Sequence, residues 1–275
     1  LLGGITKMMD YHVHSLLCNH ASGSMEKYIE TAIKKGLSEI CFLDHLTLNK
    51  NGRSQSMSPM DVPVYYYAVR RLQAGCRDKI KIRVGLEVDF SPELDKEASS
   101  IVSRFDFDMI GGSVHFIEER NIASSRAADK QKIPMDENLF DKYLELLDSL
   151  AQSSYVDIVC HLDMIKKFGA RPGPGFYEKI DPILDKIADS KKVVEVNTSG
   201  LYHEAGQTYP DETILKKCRQ KNIPVCLGSD AHSPQQVGRS FDTALDQIKN
   251  AGYDFITGFE RKKRFKIPLA GFKGE

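Results

Sequence analysis

Short apolar runs alternate along this chain with longer stretches whose apolar positions recur every three or four residues, the periods of strand and helix. The runs predict strands at 8–14, 38–44, 80–90, 107–115, 156–162, 192–198 and 223–230, and a weaker one at 254–258. Helical stretches fall between them near 24–35, 59–74, 92–103, 136–152, 176–190, 211–221 and 234–250. Ser24, Ser58-Pro59, Ser91-Pro92 and Ser233-Pro234 supply start signals, a capping hydroxyl before a first-turn proline or acid. Gly36, Gly75 and Gly252 stand where helices should stop.

Strand and helix in strict alternation predict a parallel sheet. Ile40-Cys41-Phe42-Leu43 and Ile158-Val159-Cys160 are apolar on both faces, as buried parallel strands are. An open doubly wound sheet is the rival to a closed barrel. The barrel is preferred because polar, metal-binding residue types cluster at the C-terminal ends of almost every strand, and only a barrel gathers those ends at one mouth. The segment 116–135 is long for a connection and charged, which suits a mobile flap near a site.

Composition narrows the class. The 275 residues carry 38 basic and 38 acidic side chains, a formal net charge of +0, which argues against a long nucleic-acid groove. None of the six cysteines forms a Cys-x-x-Cys pair, and Cys41, Cys160 and Cys226 lie in apolar runs, so free thiols in a reducing cytoplasm are expected. No apolar run approaches the ~18 residues of a membrane span. Leu1-Leu2-Gly3-Gly4 reads as a remnant or a trimmed terminus, leaving one expected domain over 8–270.

Seven of the eight histidines fall at or just past strand ends. Asp10-Tyr11-His12-Val13-His14 places two imidazoles and a carboxylate on one strand face, with His20 close behind. Asp44-His45, Glu87, His115, His161 and Asp230-Ala231-His232 repeat the theme on other strands. Glu87 lies between apolar neighbours, and a carboxylate buried there needs a cation or a hydrogen-bond partner. One such histidine would be unremarkable; seven point to divalent metal. His203, in a Gly- and polar-rich loop, is expected at the surface.

The ordered set Asp-Tyr-His-Val-His at 10–14, Asp44-His45, Gly85-Leu86-Glu87, Ser113-Val114-His115, His161-Leu162-Asp163 and Gly228-Ser229-Asp230-Ala231-His232 resembles the polymerase and histidinol phosphatase (PHP) superfamily. Glu195-Val196-Asn197-Thr198-Ser199-Gly200-Leu201 resembles its histidinol-phosphatase branch. The resemblance implies a distorted (β/α)7 TIM-like barrel with three divalent ions (Zn, Mn or Fe) at the C-terminal rim. It implies His12, His14, Glu87 and Asp230 for one ion, and Glu87 as a bridge with His115 and His161 for a second. His20, His45 and His232 are implied for the third. Asp10, Asp44 and Asp163 would be hydrogen-bond acceptors near the ligands or structural groups.

Three ions bring a surplus of positive charge over Glu87 and Asp230 that suits a phosphate dianion, and bound water acidifies towards ~7. The expected reaction is hydrolysis of L-histidinol phosphate by a metal-bridging hydroxide, with no protein nucleophile and the proton donor unidentified. Lys166, Lys167, Arg171 and Asn197 are the candidate substrate contacts. Family members carry an arginine soon after the histidine of the His161 motif, where this chain has lysines. The chain also lacks tryptophan, which relatives often have after the fourth-strand histidine. The alternatives are a phosphoesterase for another small phosphoester or a nucleic-acid end, a non-catalytic metal-binding module, and an amidohydrolase barrel. Neither nucleic acid nor membrane is an expected partner.

Overall fold

The computed structural model describes residues 8–124 and 137–271. Seven parallel strands form one sheet in the order β1 (Met9–Val13), β2 (Glu39–Leu46), β3 (Lys81–Asp89), β4 (Met109–Ser113), β7 (Ile158–Val159), β8 (Val193–Asn197) and β9 (Val225–Gly228). Sequential strands neighbour one another throughout, and Val13 bridges in parallel to Ala231 just past β9, so the sheet curls into a nearly closed barrel. The rival open sheet, which reverses strand order at a switch point, is excluded.

A helix follows each barrel strand: α1 (Met25–Lys34), α2 (Val62–Gly75), α3 (Asp95–Val102), α4 (Glu137–Gln152), α5 (Pro174–Asp189), α6 (Glu212–Gln220) and α7 (Phe241–Asn250). Each buries an apolar stripe against the sheet, as Leu139, Tyr143, Leu147 and Leu150 do on α4. The antiparallel pair β10 (Phe255–Glu260) and β11 (Lys263–Pro268) is tied to β1 where Phe259 N donates to Tyr11 Oη at 3.0 Å. None of the described helices is long and apolar enough to cross a membrane, and all six cysteines are free.

Departures from expectation sit where the backbone turns. The strand expected at 156–162 is only Ile158–Val159, because His161 takes φ 25° and ends it. The helix expected over 234–250 begins at Phe241, after a 3-10 turn at Pro234–Gln236 and left-handed Gly238 and Ser240. Gly36 and Gly252 adopt the positive φ of helix stops, whereas Gly75 is the last residue of α2 itself. Within the expected flap, β5 (Phe116–Ile117) and β6 (Arg120–Asn121) form a small hairpin; 125–135 lies outside the described residues.

The barrel is narrow. A Cβ at Gly111 would meet Cys160 Sγ at 2.6 Å, and one at Gly112 would meet Val156 Cγ1 at 2.9 Å. The paired glycines therefore admit side chains of the neighbouring strand rather than a ligand.

Candidate metal centre

Parallel register lines up the strand ends: His45 pairs with Glu87, and Glu87 with Gly111. A register shift between Asp10 and Val13 re-aims the end of β1. His12 and His14 turn to the barrel axis, whereas the Asp10 carboxylate takes the N–H groups of Ser229 (2.9 Å) and Gly238 (2.8 Å). Asp10 thus moors the loop carrying Asp230.

Glu87 is the hub. Its Oε2 lies 3.3 Å from His12 Nε2, 3.7 Å from His14 Nε2 and 2.7 Å from His45 Nδ1. Its Oε1 lies 2.7 Å from His161 Nε2 and 3.5 Å from His115 Nε2. Asp230 Oδ1 stands 3.0 Å from His14 Nε2 and 3.8 Å from His12 Nε2. The His20 ring centroid is 5.2 Å from that of His45 and 4.6 Å from that of His232. His14 stacks on both His45 (4.1 Å) and His232 (4.0 Å), so the residues expected for the first and third ions form one continuous cluster. All nine side chains singled out in the sequence are brought together.

Could this cluster hold metal? His12 Nε2, His161 Nδ1 and His232 Nε2 are buried with no hydrogen-bond partner among the described residues. Each such orphan costs about 1–3 kcal/mol, and cations would satisfy several together. The candidate donor atoms of His12, His14 and Glu87 lie within 4.8 Å of one another, as do those of His14, His45 and His232. Imidazole with carboxylate fits a borderline divalent ion such as Zn.

The electrostatics are those of a proton-sharing cluster. Burial pushes the Glu87 carboxyl up, but His45, His12 and His115 outweigh it and hold it well below the usual range. Asp230 is likewise low, burial being overcome by His12 and His14. Burial disfavours a charged His14, yet hydrogen bonds to Asp230 and Asp44 raise it to about 9. Burial dominates at His115 and His232, which fall well below the ordinary imidazole value and stay neutral, ready to donate a lone pair.

A shell of buried acceptors fixes the ligands. His12 Nδ1 donates to Glu195 Oε1 at 2.7 Å, and His161 N donates to Glu195 Oε2 at 2.9 Å. A Cβ at Gly228 would collide with Glu195 Oε1, so glycine is required there. Asp44 contacts His14 Nδ1 (3.3 Å) and accepts from Ser15 N and Oγ. Asp163 instead holds Lys166 and the backbone of Asp211, away from the cluster. Glu195 was missed in the sequence, although it lies on the recognised sixth-strand motif with its side chain two residues before Asn197.

Above the cluster opens a cavity of about 540 Å³, lined among others by His20, His45, Asp89, His115, Lys167, Asp230 and Arg239. The expected substrate contacts separate here. Lys166 is 1% exposed and enclosed by Asp163, Asp211 and Tyr177, so it braces the fold and does not reach the cavity. Arg171 is exposed and donates to Ala205 O, outside the lining. Asn197 is buried, donating to Glu195 Oε2 at 3.0 Å and accepting from Ser199 N. Lys167 alone of the four faces the cavity, its Nζ donating to Ala123 O at 2.6 Å. His203, expected at the surface, is half-buried and lines the same cavity, its imidazole lowered to about 4 by burial and by Lys167. Arg239 was also missed; its guanidinium lies 4.4 Å from the Tyr202 ring centroid. A cation eleven residues past the last barrel strand carries no local motif that would mark it.

Residues 10–199 match the PHP domain family. A protein of Deinococcus radiodurans named "Probable histidinol-phosphatase" is 30% identical over 260 residues, covering 94% of this chain and 99% of its own. The histidinol-phosphatase of Lactococcus lactis is 30% identical over 265 residues, with 94% and 96% covered. The crystal structure of histidinol phosphate phosphatase from that species, complexed with Zn, L-histidinol and phosphate, superposes with a TM-score of 0.82 at 26% identity, covering 94% of this chain and 99% of that one.

Proposed function

We propose, from the premise that this chain belongs to the PHP domain family and to its histidinol-phosphatase branch, that it is a metal-dependent phosphatase hydrolysing L-histidinol phosphate to L-histidinol and phosphate. The observation that carries the reading is the convergence of His12, His14, His45, His115 and His161 on Glu87 and Asp230, a buried cluster that borders the 540 Å³ cavity through His45, His115, Asp230 and His232, with Lys167 and Arg239 also in its lining. The nine side chains His12, His14, His20, His45, Glu87, His115, His161, Asp230 and His232 would hold up to three divalent ions of the Zn, Mn or Fe type. When bound, such ions supply positive charge for a phosphate and acidify water.

The chain's own residues do the rest. Glu195 and Asp44 keep His12 and His14 in one tautomer and orientation, so their free ring nitrogens stay turned to the axis. Lys167 and Arg239 draw the phosphate dianion into the cavity and offer N–H donors to its oxygens. His203, neutral at physiological pH, and the Tyr202 ring line the side where the imidazole ring of the departing histidinol would sit. The single barrel domain, 8–270, acts in the cytoplasm on a small phosphorylated substrate and engages neither nucleic acid nor membrane.

The test is phosphate release across L-histidinol phosphate, other small phosphomonoesters and a 5′-phosphorylated oligonucleotide, with metal content measured alongside. L-histidinol phosphate should give the highest kcat/KM. Asp230→Ala and His12→Ala should each lose about a thousandfold or more in turnover, of the order reported for deleting key electrostatic groups, with the circular dichroism spectrum retained. Faster cleavage of the oligonucleotide, or wild-type turnover in either variant, would overturn the assignment.

A further inference from the structure

We infer, resting on the phosphatase reading above, that Arg239 anchors the substrate's phosphate and that Tyr202 is its positioning residue, on a turn that sets its place relative to the metal cluster. The 3-10 turn Ser199–Tyr202 follows β8, and positions three apart on such a turn share one face. Ser199 Oγ donates to Asp230 Oδ2 at 3.1 Å. Three residues on, the Tyr202 ring carries the Arg239 guanidinium 4.4 Å from its centroid. One short turn therefore holds a proposed metal ligand and a cation together, although both belong to the chain beyond β9.

Arg239 is placed from several sides. Its Nε faces Ser229 O at 3.4 Å, next in the chain to Asp230. Its neighbours Gly238 and Ser240 both take positive φ, 62° and 53°, a conformation costly for serine. Each kink has a partner: Gly238 N donates to Asp10 Oδ2 at 2.8 Å, and Ser240 Oγ meets Tyr202 Oη at 2.6 Å. Tyr202 is 56% exposed and adds little to the core, so Arg239 and Ser240 are what fix it.

The charge so placed is left to bind. Lys166 is enclosed by Asp163 and Asp211, and Lys167 gives its Nζ to Ala123 O at 2.6 Å. Arg239 pairs with no carboxylate among the described residues, and its two terminal nitrogens have no hydrogen-bond partner there. Contact with a ring steadies the cation without neutralising it. Arg239 lines the 540 Å³ cavity together with Asp230 and His232. A planar fork of N–H groups at that place matches two oxygens of one phosphate, which a lysine cannot do.

The test titrates inorganic phosphate and, separately, L-histidinol into the Zn-loaded full chain by calorimetry. Arg239→Ala should weaken phosphate about 10–100-fold and leave L-histidinol unchanged. Arg239→Lys keeps the charge and loses the fork; it should stay impaired, and it carries the test should Arg239→Ala not fold. Tyr202→Leu should weaken phosphate about tenfold when Arg239 is present and have no further effect in Arg239→Ala, the mark of a residue that acts through another. Tyr202→Phe, which keeps the ring and loses the bond to Ser240, should fall between. The inference is overturned if the unaltered chain does not bind phosphate, if either Arg239 variant binds it as tightly, if both ligands weaken alike, or if Tyr202→Leu costs as much without Arg239 as with it. Turnover of L-histidinol phosphate is read separately. Its absence beside Arg239-dependent phosphate binding would strike the substrate assignment and leave the anchor standing.

Discussion

Two of the residues proposed as ligands hold backbone conformations that side chains rarely adopt: His161 at φ 25° and Asp230 at φ 53°. Such positions cost of order 1–3 kcal/mol and persist where the surroundings over-determine them. Here the surroundings are Glu195, which takes the His161 N–H, and the Asp10 carboxylate, which clamps the Ser229 N–H next to Asp230. Glu195 also holds the His12 ring, so one carboxylate fixes an imidazole on β1 and the backbone at His161. Glu195→Gln keeps the shape and removes the charge. It should lower metal affinity by about 10–100-fold, read as metal retained after dialysis against a chelator buffer, while the apo fold survives. Full retention with unchanged turnover would mean that Glu195 is only a filler of the barrel interior.

At the scale of elements, the alternation of strands and helices was legible because each strand is buried on both faces and each helix on one, so the two periodicities stand out. The nine clustered side chains were legible for a related reason: polar residues at the ends of otherwise apolar strands have few places to go in a barrel. What could not be read was direction within the loops that follow. Lys166 and Lys167 are adjacent in sequence, yet the turn at Met164–Lys166 sends one into the interior and the other to the cavity. Arg239 and Glu195 gain their meaning only from distant neighbours. The two lysines therefore predict different failures. Lys166→Met strands Asp163 and Asp211 without their buried cation, and breaking such a pair costs about 3–5 kcal/mol. Its melting temperature should drop by about 10 °C, with kcat/KM nearly unchanged in the folded enzyme. A large loss of activity with no loss of stability would return Lys166 to the substrate.

On the scale of the whole molecule, the metal cluster sits where the barrel's own closure is thinnest. Strands β2 and β3 share an eight-residue ladder from Glu39–Lys81 to Leu46–Val88, whereas β1 meets the β9 end through the single bridge of Val13 and Ala231. His12 and His14 lie on one side of that seam and Asp230 and His232 on the other, so cations bound by these four would cross-link the first strand to the last. Ions that bind only the folded chain stabilise it by mass action, about 2.7 kcal/mol per site at a hundredfold excess over Kd. For a domain of this size each filled site then corresponds to about 5–10 °C in melting temperature. Chelation should lower the melting temperature by at least that much, and restoring Zn should recover it. In Asp230→Ala, which removes one anchor across the seam, the same treatment should shift the transition less. An equal response in that variant would place the stabilising ion away from the seam, and no response in the wild type would mean that the cluster holds no metal under those conditions.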